Sequence, residues 1–161
     1  MDCPHKKQHN TLAAVPNQRA TRFTLKAREA ASDLMKSPLI RIAYIYVGSS
    51  KFAADRGFYL DVLGARLVWQ FEDDGAKVAA FDLCGEPYIL IADHVKPPSK
   101  RLIFEVRNLR EAAKVLRSRG WVSEGDEFEI PDGPCLNFAD KSGNEYAILE
   151  MKRPRILEKA R

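Results

Sequence analysis

A faint internal repeat constrains this chain more than any other feature. One copy runs from about Pro38 to Val95, the other from about Ser99 to Lys152. Each opens on a strand-like run, Ile42-Ala43-Tyr44-Ile45-Tyr46-Val47 and then Arg101-Leu102-Ile103-Phe104-Glu105-Val106. Each closes on similar words, Gly85-Glu86-Pro87-Tyr88-Ile89-Leu90 and then Gly143-Asn144-Glu145-Tyr146-Ala147-Ile148-Leu149. Self-similarity at this period marks two stacked supersecondary units. The cleft between two such units is a natural place for a small ligand.

Within each copy the reading is β-α-β-β-β. After the first opening strand, a helix begins near Ser49 or Ser50, carries Phe52, Ala53, Tyr59 and Leu63 inward, and ends at Gly64. Strands follow around Leu67–Phe71, Lys77–Leu83 and Glu86–Ala92. In the second copy, Asn108 caps a helix with Glu111 completing a capping box. Leu109, Ala112, Ala113 and Leu116 then recur at helical spacing, and Gly120 supplies the left-handed residue after the last turn. Strands follow around Val122–Glu129, Cys135–Ala139 and Glu145–Met151. Turn residues separate them: Asp73-Asp74-Gly75, Cys84-Gly85, Pro131-Asp132-Gly133 and Ser142-Gly143-Asn144.

The opening strands have two unlike faces. Ala43, Ile45 and Val47, like Leu102, Phe104 and Val106, form wholly apolar faces suited to packing under a helix. Ile42, Tyr44 and Tyr46, like Arg101, Ile103 and Glu105, mix aromatic, apolar and charged groups, as a cavity wall would.

The charge is uneven. Residues 1–36 hold seven Lys/Arg against three Asp/Glu, residues 152–161 five against one, and residues 37–151 fourteen against eighteen. The basic character belongs to the two ends, so the folded body lacks the basic face that nucleic-acid binding requires. No apolar run approaches the ~18 residues of a membrane helix, and the N-terminus lacks the apolar core of a secretory signal. Cys3, Cys84 and Cys135 are an odd, scattered set without a CxxC, which favours reduced thiols and a cytoplasmic setting. Residues 1–37 read as a basic arm with an amphipathic helix over 24–35. Cys3, His5 and His9 in that arm do not make a closed metal site. Residues 153–161 read as a basic, solvated tail. No Ser-His-Asp or Cys-His arrangement and no phosphate-binding glycine loop is visible.

Two words carry a resemblance to a known family. Phe58-Tyr59-Leu60-Asp61-Val62-Leu63-Gly64 resembles the "FYxxxLG" word of the vicinal oxygen chelate superfamily, which includes glyoxalase I, bleomycin-resistance proteins and extradiol dioxygenases. Phe138-Ala139-Asp140-Lys141-Ser142-Gly143-Asn144 resembles its late "FxDPxGN" turn, with Lys141 in place of proline. The resemblance spans residues 38–152 and implies an α+β fold: two βαβββ modules, 38–97 and 98–152, whose mostly antiparallel sheet forms a U around a pocket. It also implies a homodimer.

Enzymes of this superfamily hold a divalent metal on the first and last strands of each module. The resemblance places those positions at Ile42, Ile89, Arg101 and Ala147, none of which is a ligating residue. Arg101, a permanent cation, would repel a metal. His94 and Glu145 are the nearest substitutes. The expected function is therefore metal-free binding of an anionic or aromatic small molecule, in the manner of bleomycin-resistance proteins, with no cofactor. Tyr44, Tyr46, Trp69, Arg101 and Glu105 would form the pocket, Phe71 would add to its wall, and Arg101 would grip a carboxylate or phosphate. Arg101 paired to Glu105 is the purely structural alternative for that residue. The alternative function is a divergent metal-dependent lyase, isomerase or dioxygenase, and a third is an accessory module that docks through its basic ends.

Overall fold

The computed structural model describes residues 36–73 and 75–159 of the 161-residue chain. The arm's amphipathic helix and its Cys3, His5 and His9 lie outside the described residues, so the account concerns the body that begins at Ser37.

The body repeats one unit twice. The first comprises β1 (Leu39–Gly48), α1 (Phe52–Gly57, continuing as a wider π turn over Phe58–Val62), β2 (Arg66–Asp73), β3 (Ala76–Asp82) and β4 (Tyr88–Ala92). The second comprises β5 (Lys100–Val106), α2 (Leu109–Ser118), β6 (Ser123–Ile130), β7 (Gly133–Ala139) and β8 (Glu145–Glu150), and a short α3 (Ile156–Lys159) follows. All eight strands form one curled sheet in the order β2-β3-β4-β1-β5-β8-β7-β6. The β1–β4 and β5–β8 pairings are parallel and the other five are antiparallel. The two opening strands meet at the centre, where Tyr44 stands opposite Ile103 and Tyr46 opposite Arg101.

Three apolar clusters divide the faces. α1 packs Phe52, Tyr59 and Leu60 on Phe81, Ala79 and Ile91, with Tyr59 stacked on Phe81 at 4.9 Å between ring centres. α2 packs Leu109, Ala112 and Ala113 on Val106, Leu136 and Ile148. The opposite face gathers Tyr44, Trp69, Tyr88, Leu90, Ile103, Cys135 and Leu149.

Local sequence explains most of these elements. The Asn108 side chain accepts from the Glu111 N–H at 3.0 Å, capping α2. The Glu150 carboxylate takes the Leu109 N–H at 2.9 Å, filling a second orphan donor of that terminus. At the other end the Trp121 N–H reaches the Leu116 carbonyl and the Gly120 N–H the Arg117 carbonyl, a Schellman closure with Gly120 at φ +92°. The β7–β8 turn needs no proline at Lys141. The Asp140 carboxylate accepts the N–H groups of Ser142 and Asn144 at 2.8 and 2.9 Å and holds the loop itself.

The structure corrects three expectations. Ala53 and Leu63 are exposed rather than inward. The Leu63 N–H bonds the Phe58 carbonyl five residues back, and this wider turn rotates Leu63 off the apolar stripe and brings Leu60 onto it. A register shift between Ile42 and Tyr44 sets Ile42 opposite Phe104, which packs on the α2 side, so the mixed face does not include Ile42. The segment after β8 is not simply a solvated tail. Arg153 bonds the Pro131 and Ile130 carbonyls at 2.7 and 3.0 Å, and Leu157 packs against the cluster that holds Tyr44 and Trp69.

The β6–β7 turn tolerates no side chain at Gly133. Its φ is +150°, and an added Cβ would lie 2.1 Å from the Glu150 carbonyl oxygen, a backbone atom. Gly133→Ala should therefore cost more than about 2 kcal/mol, read as a lowered midpoint in urea unfolding. An unchanged midpoint would contradict this packing.

Candidate functional site

The curl of the sheet encloses a cavity of about 440 Å³, within the size range of small-molecule sites. The pairing of β1 with β5 builds its floor from Tyr44, Tyr46, Arg101 and Ile103. Trp69 and Phe71 of β2, Val78 of β3 and Leu90 of β4 form one wall. Cys135 and Asn137 of β7 and Ala147 of β8 form the other, and Phe128, Ile130 and Leu157 border it. The lining is mainly apolar and aromatic, and its polar groups fall into two stations besides Glu129, which is ion-paired with Arg153.

The first station centres on Arg101. Its Nη1 donates to the Asn137 side-chain oxygen at 3.2 Å and its Nη2 to Glu145 at 2.6 Å. Its Nε is buried and meets no acceptor among the described residues, so the guanidinium keeps an unmet donor. Tyr46, the cross-strand neighbour of Arg101, shares a hydrogen bond with His94 Nε2 at 3.0 Å. Burial pushes the Tyr46 hydroxyl up to about 12, against the lowering effect of the Arg101 charge. Tyr46 is therefore a neutral hydrogen-bonding group at physiological pH.

The second station is Asp132, in the β6–β7 turn. It is 5% exposed and accepts a 2.8 Å hydrogen bond from the Tyr44 hydroxyl. Burial raises the Asp132 carboxyl above its ordinary range, and the Tyr44 hydrogen bond only partly offsets this. Tyr44 is itself raised, by burial first and the Asp132 charge second. Cys135, also lining the cavity, is pushed up to about 12 by burial, so it presents a thiol rather than a nucleophilic thiolate.

The structure brings Tyr44, Tyr46, Trp69, Phe71 and Arg101 to one cavity, and His94 to its edge. Glu105, expected among them, is not part of the lining. It is ion-paired with Arg41 at 2.7 Å, and Arg41 also bridges to Glu86. Arg101 therefore pairs with Glu145, not with Glu105. Of the four positions that the resemblance assigned to a metal, Arg101 and Ala147 line the cavity and Ile42 and Ile89 do not. Ile89 stands opposite Ile45 and Phe81, so it lies on the helix-covered face, and Leu90 takes the cavity side of β4. Correcting the register supplies no ligand, because Tyr44, Leu90, Ile103 and Ala147 offer no carboxylate or imidazole. Among the described residues no three His, Cys, Asp or Glu side chains cluster. The residues present do not fit the superfamily's metal.

Asp132 and Leu157 escaped the sequence reading. Pro131-Asp132-Gly133 carries only a turn signal, and Leu157 sits in a short basic stretch without periodicity. A pocket-facing role for either depends on contacts with strands far away in sequence.

The raised Asp132 carboxyl gives stability a definite pH trend. The folded state holds this proton more tightly than the unfolded chain, so the site's contribution weakens as pH rises through the folded value. Asp132→Asn keeps an acceptor for Tyr44 and removes the buried charge. Its melting temperature should exceed that of the wild type at pH 7, and the gap should close as pH falls through the carboxylate range. A variant less stable than the wild type at pH 7 would contradict this.

No protein-family model matches the sequence, and no curated protein matches it. Solved structures do match. A hypothetical protein from Bacillus halodurans C-125 is 15% identical with a TM-score of 0.61, over 70% of this chain and 95% of that one. Methylmalonyl-CoA epimerase from Mycobacterium tuberculosis is 16% identical with a TM-score of 0.62, over 71% of this chain and 90% of that one. Streptomyces coelicolor methylmalonyl-CoA epimerase in complex with 2-nitronate-propionyl-CoA is 15% identical with a TM-score of 0.60, over 71% and 99%. The epimerase is a member of the vicinal oxygen chelate superfamily. Identities this low speak for architecture alone, and on that ground the chain has the glyoxalase/bleomycin-resistance-like fold of that superfamily.

Proposed function

We propose that the cavity binds a small molecule with a planar apolar body and an anionic group, and that it does so without a metal ion. The observation that carries this reading is Arg101: a cation in the floor of a mainly apolar cavity, with one guanidinium donor buried and without an acceptor among the described residues. An acceptor entering there completes the set of hydrogen bonds. Charge-assisted bonds of this kind are stronger than neutral ones. Trp69 and Phe71 offer faces for an aromatic body, and Tyr46 a hydroxyl. The rival reading, a metal-dependent lyase, isomerase or dioxygenase, needs donors that the cavity-facing strand positions do not supply.

Calorimetric titration of the full chain with biphenyl-4-carboxylate and with its neutral carboxamide tests this. The carboxylate should bind more tightly, and Arg101→Gln should weaken it about 10- to 100-fold while leaving the carboxamide nearly unchanged. Zinc, nickel, manganese and iron(II) should show no stoichiometric binding. Equal affinity for carboxylate and carboxamide would remove Arg101 from the site. One tightly held metal per chain would overturn the metal-free reading.

A further inference from the structure

The second polar station narrows the class of ligand, on the footing that the cavity binds one at all. Asp132 is a turn residue that does not serve its turn. Asp140 accepts the backbone N–H groups of Ser142 and Asn144, and Asp82 accepts that of Gly85, each stabilising its own loop. The Asp132 carboxylate makes no such bond among the described residues. It accepts only from the Tyr44 hydroxyl, across the cavity floor.

Among the described residues no cation contacts it, although the nearby Arg153 charge favours its ionised form and the charge of Glu158 in α3 opposes it. Arg153 follows β8 beside the same turn, yet it donates to the Pro131 and Ile130 carbonyls and pairs with Glu129. No ion pair reaches Asp132 among the described residues. A carboxylate 5% exposed, facing an apolar cavity with no cation in contact, is costly to hold ionised. Tyr44 fills one of its acceptor sites and leaves others for a donor arriving from the cavity.

The two stations also sit at different points along one strand, β7, and the turn before it. Asn137, which holds Arg101, lies five residues beyond Asp132 on the same chain, roughly 16 Å of extended strand. Apolar side chains, Cys135, Ile103 and Ala147 among them, occupy the lining with them.

We propose that Asp132 is a second ligand anchor and takes a protonated amine, so that the ligand is elongated and bipolar: a carboxylate at Arg101, an aromatic or apolar body against Trp69, and an ammonium at Asp132. Electrostatic complementarity fixes its direction in the cavity. The pairing supplies from the ligand the contacting cation that Asp132 lacks among the described residues.

The test compares 4′-(aminomethyl)biphenyl-4-carboxylate with biphenyl-4-carboxylate, titrated into the full-length protein. The bipolar probe should bind about tenfold more tightly or better. Asp132→Asn should abolish that advantage without weakening the binding of biphenyl-4-carboxylate. Tyr44→Phe, which frees the carboxylate from its internal donor, should preserve or enlarge the advantage, and Glu158→Gln should not remove it. Circular dichroism and melting curves verify that each variant is folded. If both probes bind equally and Asp132→Asn changes neither, the bipolar class is overturned while the Arg101 reading stands. If the advantage survives Asp132→Asn and vanishes in Glu158→Gln, the amine belongs to α3 and the assignment to Asp132 is overturned. If neither probe binds the wild type, the ligand-binding reading falls and this inference with it.

Discussion

The antiparallel pairing of β1 with β5 is the constraint on which the rest of this structure depends. It joins the two modules edge to edge and makes one eight-stranded sheet from two four-stranded ones. Each module alone would leave its opening strand as an unpaired edge, and an exposed edge of apolar strand invites mispairing. With the seam closed, the outer edges are β2 and β6. The β6 run Ser-Glu-Gly-Asp-Glu-Phe-Glu-Ile is acidic and almost wholly exposed, as suits an edge that must not pair further. The same seam sets Tyr44 against Ile103 and Tyr46 against Arg101, so the register that holds the modules together also assembles the cavity floor.

The cavity is a place where folding and function pull apart. A well-packed core would fill this volume and exclude its charges. Here the volume stays open, and among the described residues Arg101 Nε has no acceptor and Asp132 no contacting cation. Elsewhere the clusters under α1 and α2 bury their apolar side chains, with Phe81, Ile91, Leu109 and Ile148 essentially without exposure. The closing segment fits the same scheme, since Arg153 pins it to the β6–β7 turn and Leu157 completes the lining.

The fold positions that carry metal ligands in enzymes of the vicinal oxygen chelate superfamily hold no ligating side chains here. The strands that would carry ligands are present and correctly ordered, but their cavity-facing residues are Tyr44, Leu90, Ile103 and Ala147. Those residues present one phenol and three apolar side chains. They do not suit a hard or borderline cation that needs several oxygen or nitrogen donors. Fold and chemistry separate cleanly here, as they do across widely used folds.

The sequence by itself determined the architecture. Strand alternation, the Asn108 cap, Gly120 and the repeated closing words are local signals, each read over a few residues, and together they specify βαβββ twice. Tyr44, Tyr46 and Arg101 were legible as cavity residues because period-two alternation puts them on one side of their strands. The tertiary structure decided what local pattern cannot encode. A register shift took Ile42 off the cavity face, a π turn took Leu63 off the core, and Arg41 claimed Glu105. Asp132 and Leu157 reached the cavity only because chain segments 88 and 25 residues apart, Tyr44 to Asp132 and Asp132 to Leu157, fold onto the same sheet. Alternation and capping are properties of neighbours along the chain. Burial, ion pairing and the choice of which charge goes unpartnered are properties of neighbours in space.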